Sequence, residues 1–294
     1  MNILITGASG FIGRHFIQFY PNHQYTVLTR SPKNLAKQVD ADVKVLTSLS
    51  ELKHLDNYDA VINLAGEPII DKRWTDKQRQ RICQSRWQIT QDLVDLIAAS
   101  ATPPSVLVNG SAIGFYGPCG SARLTENDDV VTKDFGHEVC KGWEDIALKA
   151  QDKTRVALLR IGIVLGKGGP LAKMIMPFKF GVGGRIGDGR QYMSWVHIED
   201  MCRAIDYLIT NEQASGPYNI TAPKAETNGH FSDVLAGVMG TKARLPVPEF
   251  MLRLLLGEAA DLALSSQNIY PEKLLNSGFE FKFNSLPNAL VDLV

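Results

Sequence analysis

Short apolar segments alternate with amphipathic segments over the first half of the chain. Residues 2–6 form a nearly continuous apolar run that predicts a strand, and apolar positions at helical spacing predict a helix over 11–20. The same alternation predicts strands at 25–29, 59–65, 105–108 and 155–161 and helices at 74–100 and 133–150. Apolar strands separated by helices are typical of a parallel sheet covered on both faces, so we predict a doubly wound α/β domain over residues 1–165.

Beyond residue 165 the pattern changes. Glycines are frequent at 166–169 and 181–189 and predict loops. The segments 198–210 and 217–221 predict a helix and a strand, and we expect residues 190–221 to return to the first domain. The remaining pattern predicts short helices at 228–239, 248–264, 271–277 and 285–293. We therefore expect a Rossmann-type sheet domain and a smaller, mainly helical substrate-side domain formed by residues 166–189 and 222–294.

Composition and charge narrow the classes of partner. The chain has 294 residues, of which 45% are hydrophobic and 21% are charged, and this excludes a disordered or fibrous protein. Its 31 Lys and Arg residues balance 31 Asp and Glu residues, so charge gives no reason to expect a nucleic-acid or membrane-surface partner. No apolar run in the sequence reaches the about 20 residues that a bilayer-spanning helix needs. We expect a small-molecule substrate, and a homo-oligomer is compatible with these features.

The cysteines indicate a reducing compartment. They are far apart, without a CxxC pair or a histidine at zinc-ligand spacing, so we expect free thiols and no metal site. The first residues also lack the basic and apolar regions of a signal peptide, so we expect a cytoplasmic protein. The four cysteines are Cys83, Cys119, Cys140 and Cys202.

A glycine-rich turn joins the first predicted strand to the first predicted helix. Its GxxGxxG spacing leaves out the Cβ atoms that would block a tight turn or the approach of a pyrophosphate. The free N–H groups and the dipole of the following helix favour an anion there. We predict a dinucleotide site, although a glycine-rich turn that binds no ligand remains the simpler alternative. The residues expected to contact the dinucleotide are Gly7, Ser9, Gly10, Phe11, Ile12 and Gly13.

The residues after the second predicted strand indicate which dinucleotide is bound. Enzymes that use NAD usually place Asp or Glu about twenty residues after the glycine turn, where the carboxylate binds the ribose hydroxyls. This chain has Thr29 and Arg30 there, and a guanidinium can hold a 2′-phosphate that a carboxylate would repel. We therefore predict NADP(H) rather than NAD(H), with Arg30 as the main contact and Thr29 and Lys33 assisting. The alternative is that Arg30 is an ordinary solvent-exposed arginine.

Several motifs resemble a known family. The segments TGASGFIG (6–13), INLAG (62–66) and SAIGFYG (111–117) are similar to those of an extended or atypical short-chain dehydrogenase/reductase of the NAD-dependent epimerase/dehydratase group. Longer stretches over the rest of the chain closely resemble the YfcH-type epimerase-family proteins. They include RIGIVLGKGG (160–169), GDGRQYMSWVHIED (187–200), LLLGEAADLAL (254–264) and PEKLLNSGFEF (271–281).

The resemblance implies further cofactor contacts. Leu64, Ala65 and Gly66, with the adjacent Glu67, would pass beneath the adenosine and pyrophosphate. Arg86 would reach the phosphate-bearing end, although it could instead be a surface charge on its helix. The resemblance also places Ser111 near the nicotinamide and Val164 in the lining of the nicotinamide pocket.

The same resemblance exposes a departure in the catalytic set. The superfamily uses a Tyr-xxx-Lys pair on one helical face, together with a Ser or Thr that polarises the substrate oxygen. Here Lys141 stands at the expected lysine position, His137 at the tyrosine position and Ala112 at the serine position, with Ser111 displaced by one. An imidazole can transfer protons near neutrality, so His137 could replace the tyrosine, although a histidine on the helix surface is the preferred interpretation. Tyr116 is a further acid/base candidate.

A second departure concerns the substrate. Sugar-nucleotide epimerases that resemble this chain around Trp195 carry an arginine two residues earlier, where this chain has Met193. We therefore do not expect a sugar-nucleotide substrate. The leading hypothesis is an NADP(H)-binding oxidoreductase or epimerase of an unidentified small carbonyl or hydroxyl compound. The alternative is a non-catalytic NADP(H)-binding sensor or scaffold, and a third possibility is a plain reductase in which water or His137 donates the proton.

Overall fold

A computed structural model describes residues 1–39, 41–243 and 245–294. Its main feature is a sheet of seven parallel strands, in the order β11-β7-β5-β4-β1-β2-β3. These strands are β1 (Asn2–Thr6), β2 (Gln24–Leu28), β3 (Val43–Leu46), β4 (Ala60–Asn63), β5 (Val106–Ala112), β7 (Arg155–Ile161) and β11 (Gly216–Ile220). Short strands elsewhere pair two by two: β6 (Arg123–Leu124) with β13 (Asn268–Ile269), β8 (Ile163–Leu165) with β10 (Trp195–His197), and β9 (Tyr192–Met193) with β12 (Glu226–Thr227).

Helices cover both faces of the sheet. α1 and α6 lie on one face and α3 and α4 on the other. The helices of the described residues are α1 (Phe11–Phe19), α2 (Pro32–Gln38), α3 (Asp76–Ala98), α4 (Phe135–Leu148), α5 (Pro170–Lys179), α6 (Ile198–Thr210), α7 (Asn228–Val238), α8 (Glu249–Leu256), α9 (Asp261–Leu264), α10 (Glu272–Asn276) and α11 (Leu286–Leu293). Single 3₁₀ turns are formed by Leu49–Glu51, Ile113–Tyr116 and Gly257–Ala260. The predicted doubly wound, Rossmann-type sheet is confirmed.

Successive residues of each strand pack into different cores. Ile5 of β1 packs with Phe16 of α1 and Ile205 of α6. Its neighbour Leu4 belongs to a second core that contains Leu93 of α3 and Ala147 of α4. Because side chains alternate between the faces of a sheet, a strand covered on both faces must be apolar throughout. This explains the continuous apolar runs from which the strands were predicted.

Several elements were not predicted from the sequence, among them α5 and the short strands outside the main sheet, and two differences concern longer segments. The polar segment after Thr29 forms α2 and β3, which the hydrophobic pattern does not predict, because Leu35 is the buried residue of α2 and β3 lies at the edge of the sheet with exposed positions. The helix predicted over 248–264 is broken. Gly257 has a φ of +61°, a left-handed conformation that ends α8 and separates it from α9.

The order of the strands positions the candidate site. From β1 the chain moves outward to β2 and β3, then crosses back to β4 on the other side of β1. After β1 the chain continues towards one edge of the sheet, and after β4 it continues towards the other edge. The place between β1 and β4 where the direction changes is the switch point, and ligands bind in the crevice that it creates at the carboxyl ends of the strands. A third core, which contains Phe178, Trp195 and Leu290, lies in the C-terminal half of the chain. No helix among residues 1–39, 41–243 and 245–294 is long and apolar enough to cross a membrane.

Candidate active site

The glycine turn after β1 forms a cradle without side chains. Gly7 has a φ of +72°, and a Cβ on it would lie 2.5 Å from the carbonyl oxygen of Leu64. A Cβ on Gly13 would lie 2.6 Å from the carbonyl oxygen of Gly7, so neither position accepts a larger residue without a shift of the backbone. Gly10 begins α1, and no side chain of the described residues caps it, so the first N–H groups of this helix are free for an anion. The cradle fits the pyrophosphate of a dinucleotide.

The end of β4 is held beside this cradle by Thr6. The Thr6 hydroxyl donates to Oδ1 of Asn63 at 2.6 Å and accepts from the backbone N–H of Ala65 at 3.2 Å. The backbone N–H of Leu64 also donates to the carbonyl oxygen of Thr6. The predicted contact residues of the β1 and β4 loops are therefore brought together across the switch point.

A second glycine-rich loop packs on the start of α1. Cβ atoms on Gly166 and Gly169 would lie 2.7 and 2.5 Å from the ring of Phe11, so the loop after β8 can approach this ring closely only as glycine. Val164 of β8 is buried in the core below that loop. The structure thus places Val164 near the glycine turn, with little of its side chain exposed.

Arg30 is exposed between the end of β2 and the start of α2. Thr29 beside it is buried, and its hydroxyl accepts from the backbone N–H of Ser31 at 3.2 Å. Lys33 is exposed in the first turn of α2. Arg30, the cation predicted to select the 2′-phosphate, is therefore exposed to solvent at the carboxyl ends of the strands, as is the glycine turn.

Arg86 is not a surface charge, which corrects one of the two interpretations of this residue. Its Nη1 donates to the carbonyl oxygens of Glu67 and Ile82 at 3.1 and 3.0 Å, and its guanidinium lies 5.2 Å from the ring centre of Trp143. Burial lowers the pKa of Arg86. A Cβ on Gly66 would lie 2.8 Å from Cζ of Arg86, so glycine is what allows the guanidinium to lie against the loop after β4.

Glu67 follows this contact and has partners of its own. Its backbone N–H donates to the hydroxyl of Ser85 at 2.9 Å. Its carboxylate pairs with Lys72 at 3.2 Å, and this ammonium lowers the pKa of Glu67. The carboxylate is thus ionised at the rim of the switch-point crevice.

A buried ion pair lies beneath the end of β5. Nε and Nη2 of Arg160 donate to the two carboxylate oxygens of Glu144 at 3.0 and 2.9 Å. The hydroxyl of Ser111 donates to the same carboxylate at 2.6 Å. Neither charged residue was predicted from the sequence. A signal was available, because an arginine inside the apolar strand RVALLRI must find a partner when the strand is buried.

Tyr116 is committed to this network, which corrects its assignment as an acid/base candidate. It is completely buried, its hydroxyl donates to Oδ1 of Asn219 at 2.9 Å, and it accepts from Nη1 of Arg160 at 2.9 Å. Burial raises its pKa, so the phenol holds its proton. The residue ties the turn after β5 to the last strand of the sheet.

His137 is buried in the first turn of α4, so the preferred interpretation, a histidine on the helix surface, is wrong. Its side chain is 6% exposed, and its Nδ1 lies 2.6 Å from the carbonyl oxygen of Phe115. Because a carbonyl oxygen can only accept, Nδ1 carries the hydrogen and the neutral ring keeps Nε2 as a proton acceptor. The backbone N–H of His137 is capped by Asp134 at 2.8 Å, which holds the residue in place.

The lysine of the expected Tyr-xxx-Lys pair is exposed to solvent. The ammonium of Lys141 pairs with Asp145 at 2.6 Å on the exposed side of α4. The buried neighbour Cys140 lies beside Ser111 instead, and burial raises the pKa of its thiol to about 12. Four residues before it, Gly136 packs on Gly114. The inward-facing pair is therefore glycine and cysteine, and it supplies neither the acid nor the ammonium of the usual set.

Comparisons with known proteins agree with this architecture. A model of the NAD dependent epimerase/dehydratase family matches residues 3–221, and a domain of unknown function (DUF1731) matches residues 247–293. The chain belongs to the NAD dependent epimerase/dehydratase family. The resemblance drawn from the motifs is thereby confirmed.

Individual relatives extend over nearly the whole chain. The chain is 41% identical to the chloroplastic epimerase family protein SDR39U1 homolog of Arabidopsis thaliana, over 99% of this chain and 86% of that protein. It is 38% identical to an epimerase family protein of Staphylococcus haemolyticus, over 99% of this chain and 98% of that protein. The crystal structure of human epimerase family protein SDR39U1 with NADPH superposes with a TM-score of 0.92 at 30% identity, covering 100% of this chain and 99% of that one.

Proposed function

We propose that this protein binds NADP(H) across the carboxyl ends of its strands and acts as an oxidoreductase or epimerase on a small molecule. The observation that carries the proposal is the cradle at Gly7 and Gly13, where a Cβ would collide with backbone atoms and where the first N–H groups of α1 are free. The similarity to human SDR39U1, whose structure contains NADPH, supports the choice of cofactor.

The strand order fits an extended dinucleotide. Arg30 follows β2, the glycine turn follows β1, Leu64 follows β4, and Ser111 lies at the end of β5. Neighbouring strands are about 4.8 Å apart, so the three steps from β2 to β5 span about 14 Å. The 2′-phosphate end would therefore lie by Arg30, the pyrophosphate by Gly7 to Gly13, and the nicotinamide end by Ser111.

Within this arrangement the residues of the chain have distinct tasks. Bound NADP(H) would supply hydride exchange with a carbon of the substrate. Arg86, held under the loop after β4, would add positive charge beneath the phosphates. His137 would accept or return the proton at Nε2, and Ser111 would fix the substrate oxygen. In an epimerase the same groups would serve oxidation and re-reduction in turn.

A non-catalytic NADP(H) sensor is the second candidate. It is favoured by the exposed position of Lys141, which pairs with Asp145, and by its buried neighbours Gly136 and Cys140, which cannot transfer a proton as a Tyr-xxx-Lys pair does. A sensor needs the cradle and Arg30 but no acid or base. The two candidates therefore agree on the cofactor and differ on the role of His137.

Titration calorimetry with NADPH and NADH tests the proposed cofactor. Arg30→Ala should weaken NADPH at least tenfold and leave NADH within twofold, because a charge-assisted bidentate contact to the 2′-phosphate is lost. Lys37→Ala, at an exposed cation in the last turn of α2, is the matched control and should change neither affinity. Equal weakening of both coenzymes by Arg30→Ala would contradict the role of this residue.

A further inference from the structure

The buried ion pair between Glu144 and Arg160 contacts Ser111 directly and is linked to His137 through Phe115. Through Glu144 it reaches the hydroxyl of Ser111 at 2.6 Å. Through the guanidinium of Arg160 it reaches the ring of Phe115, whose centre lies 3.5 Å away. The carbonyl oxygen of Phe115 binds His137. The same ion pair thus supports Ser111 directly and His137 through Phe115.

Glu144 fixes the direction of the Ser111 hydrogen bond. Arg160 donates to both oxygens of the carboxylate, and a carboxylate held this way can accept hydrogen bonds but not donate one. The contact at 2.6 Å is therefore made by the hydrogen of Ser111. A hydroxyl has one hydrogen, so Ser111 keeps acceptor capacity and has no proton left to donate to a ligand.

The hydrogen bond of His137 likewise makes the free nitrogen of its ring an acceptor. Nδ1 donates to the carbonyl oxygen of Phe115, so the neutral ring presents Nε2 as an acceptor. The turn that carries this carbonyl is held from below, because Arg160 stacks on Phe115 and also donates to the hydroxyl of the adjacent Tyr116. Ser111 at the end of β5 and His137 on α4 are therefore both acceptors.

We propose that Glu144 and Arg160 are positioning residues that set Ser111 and His137 as hydrogen-bond acceptors, so that the site takes a hydroxyl compound rather than a carbonyl compound as its first substrate. This rests on the proposed function. A hydroxyl group can donate to one of the two acceptors, whereas a carbonyl oxygen meets only lone pairs there. The usual serine of the superfamily has the opposite polarity, because it donates to the substrate oxygen.

The step that follows is an alcohol oxidation with NADP⁺ as oxidant. The O–H bond of the substrate breaks and its proton passes to Nε2 of His137, while the C–H bond breaks with its electron pair and NADP⁺ is reduced to NADPH. The alcohol becomes a carbonyl compound, and the imidazolium releases its proton to solvent. Return of the proton and the electron pair to the other face of the carbonyl carbon would complete an epimerisation.

The tautomer of His137 tests the first half of this inference without any substrate. Long-range ¹H–¹⁵N spectra at pH 8 distinguish the two ring nitrogens, and His137→Gln identifies the signals among the six histidines. We expect hydrogen on Nδ1 and an unprotonated Nε2, both with and without NADPH. Hydrogen on Nε2 would overturn the proposal.

Matched pairs of alcohols and ketones test the second half. Dissociation constants for pairs such as cyclohexanol and cyclohexanone, and for hydroxy acids and keto acids, are measured by ligand-observed NMR on the NADP⁺-loaded protein. We expect the alcohol of a pair to bind about tenfold more tightly, the contribution of one hydrogen bond. Ketones that bind as tightly as alcohols, or a panel in which nothing binds, would overturn the inference.

Two variants link this preference to the ion pair. In Glu144→Gln the side-chain amide can donate to Ser111, which frees the Ser111 hydrogen for the ligand, so the alcohol preference should fall to about threefold or less. Because that variant leaves Arg160 uncompensated and could fail to fold, Ser111→Ala is the second variant; it keeps the ion pair and removes one of the two acceptors, so the preference should fall without vanishing. Asp145→Asn, at an exposed acid next to Glu144, should keep it. An unchanged preference in Ser111→Ala would contradict the proposal.

The failure of this inference and that of the proposed function are separable. NADPH calorimetry on the same samples reports the cofactor site alone. NADPH binding without an alcohol preference would refute the proposal that Ser111 and His137 act as hydrogen-bond acceptors. It would leave the cofactor proposal intact. Absence of NADPH binding would refute the proposed function, and the tautomer of His137 would still be measured.

Discussion

The backbone of Gly7 lies so close to Leu64 that a Cβ would come within 2.5 Å of its carbonyl oxygen. This contact joins the turn after β1 to the loop after β4, at the point where the strand order diverges. Gly7 also has a φ of +72°, so a side chain there would be strained by its own backbone as well as by its neighbour. The requirement for glycine is therefore set by the shape of the cradle.

Gly7→Ala should abolish NADPH binding and lower the free energy of unfolding by about 1–3 kcal/mol. Both effects arise because the loop after β4 must move away from the new Cβ. Gly120→Ala is the control: its φ is +62°, and apart from Gly120 and its two chain neighbours no heavy atom of the described residues lies within 4 Å of the place its Cβ would take, so it should cost about 1 kcal/mol and leave NADPH binding unchanged. Denaturant titration and calorimetry measure the two quantities. Normal NADPH affinity in Gly7→Ala would show that the cradle does not hold the coenzyme.

The ion pair of Glu144 and Arg160 should behave as a unit in stability measurements. Glu144→Leu or Arg160→Met alone leaves a buried charge without its partner, and each should lower the free energy of unfolding by about 3–5 kcal/mol. The double variant removes both charges and should be more stable than either single variant. Additive losses in urea titrations would indicate that the two side chains are not coupled.

Substitutions of His137 and Lys141 should differ in their effect on the turnover of any substrate that is found. His137→Gln should lower kcat by about 10²-fold or more, because the proton acceptor is lost. Lys141→Gln should stay within about threefold, since its ammonium pairs with Asp145 on the exposed side of α4. Stopped-flow or steady-state absorbance of NADPH measures both. A large loss in Lys141→Gln with no loss in His137→Gln would return the lysine to the catalytic set.

Stability should decrease as the pH falls below about 6.5, and His197 contributes to this. Burial lowers its pKa below the usual 6.5, an effect that Asp292 opposes in part. The unfolded chain therefore binds a proton in a pH range where the folded chain does not, and the free energy of unfolding drops there. His197→Asn keeps a side chain that can cap α6 but removes the titration.

The slope of unfolding free energy against pH, measured between pH 7.5 and the range below the usual histidine pKa, reports this contribution. It should be shallower in His197→Asn than in the wild type. An identical slope in the two proteins would remove His197 as a cause.

The sequence predicted those parts of the molecule that depend on local pattern. Strands such as β1 and β7 are apolar throughout because both faces are buried, and the glycine turn is defined by consecutive residues. It did not predict β3, because an edge strand with exposed positions carries no continuous apolar signal. It predicted one continuous helix over 248–264, because a helical pattern does not reveal that Gly257 has a positive φ.

The candidate site was predicted less completely, since it depends on contacts between distant segments. Arg160 and Glu144 are 16 residues apart, and Tyr116 and Asn219 are 103 residues apart. The motif spacing along α4 placed Lys141 at the catalytic lysine position, but Lys141 is exposed and its neighbour Cys140 lies beside Ser111. Only the fold shows which of two neighbouring residues faces the site.

The central claim is that the turn from Gly7 to Gly13 binds NADP(H). Titration calorimetry of the purified protein with NADPH tests it most directly, with NADH measured in parallel. We expect one NADPH bound per chain, at an affinity at least tenfold higher than that for NADH. The absence of binding heat and of protection against thermal unfolding with both coenzymes would contradict the account.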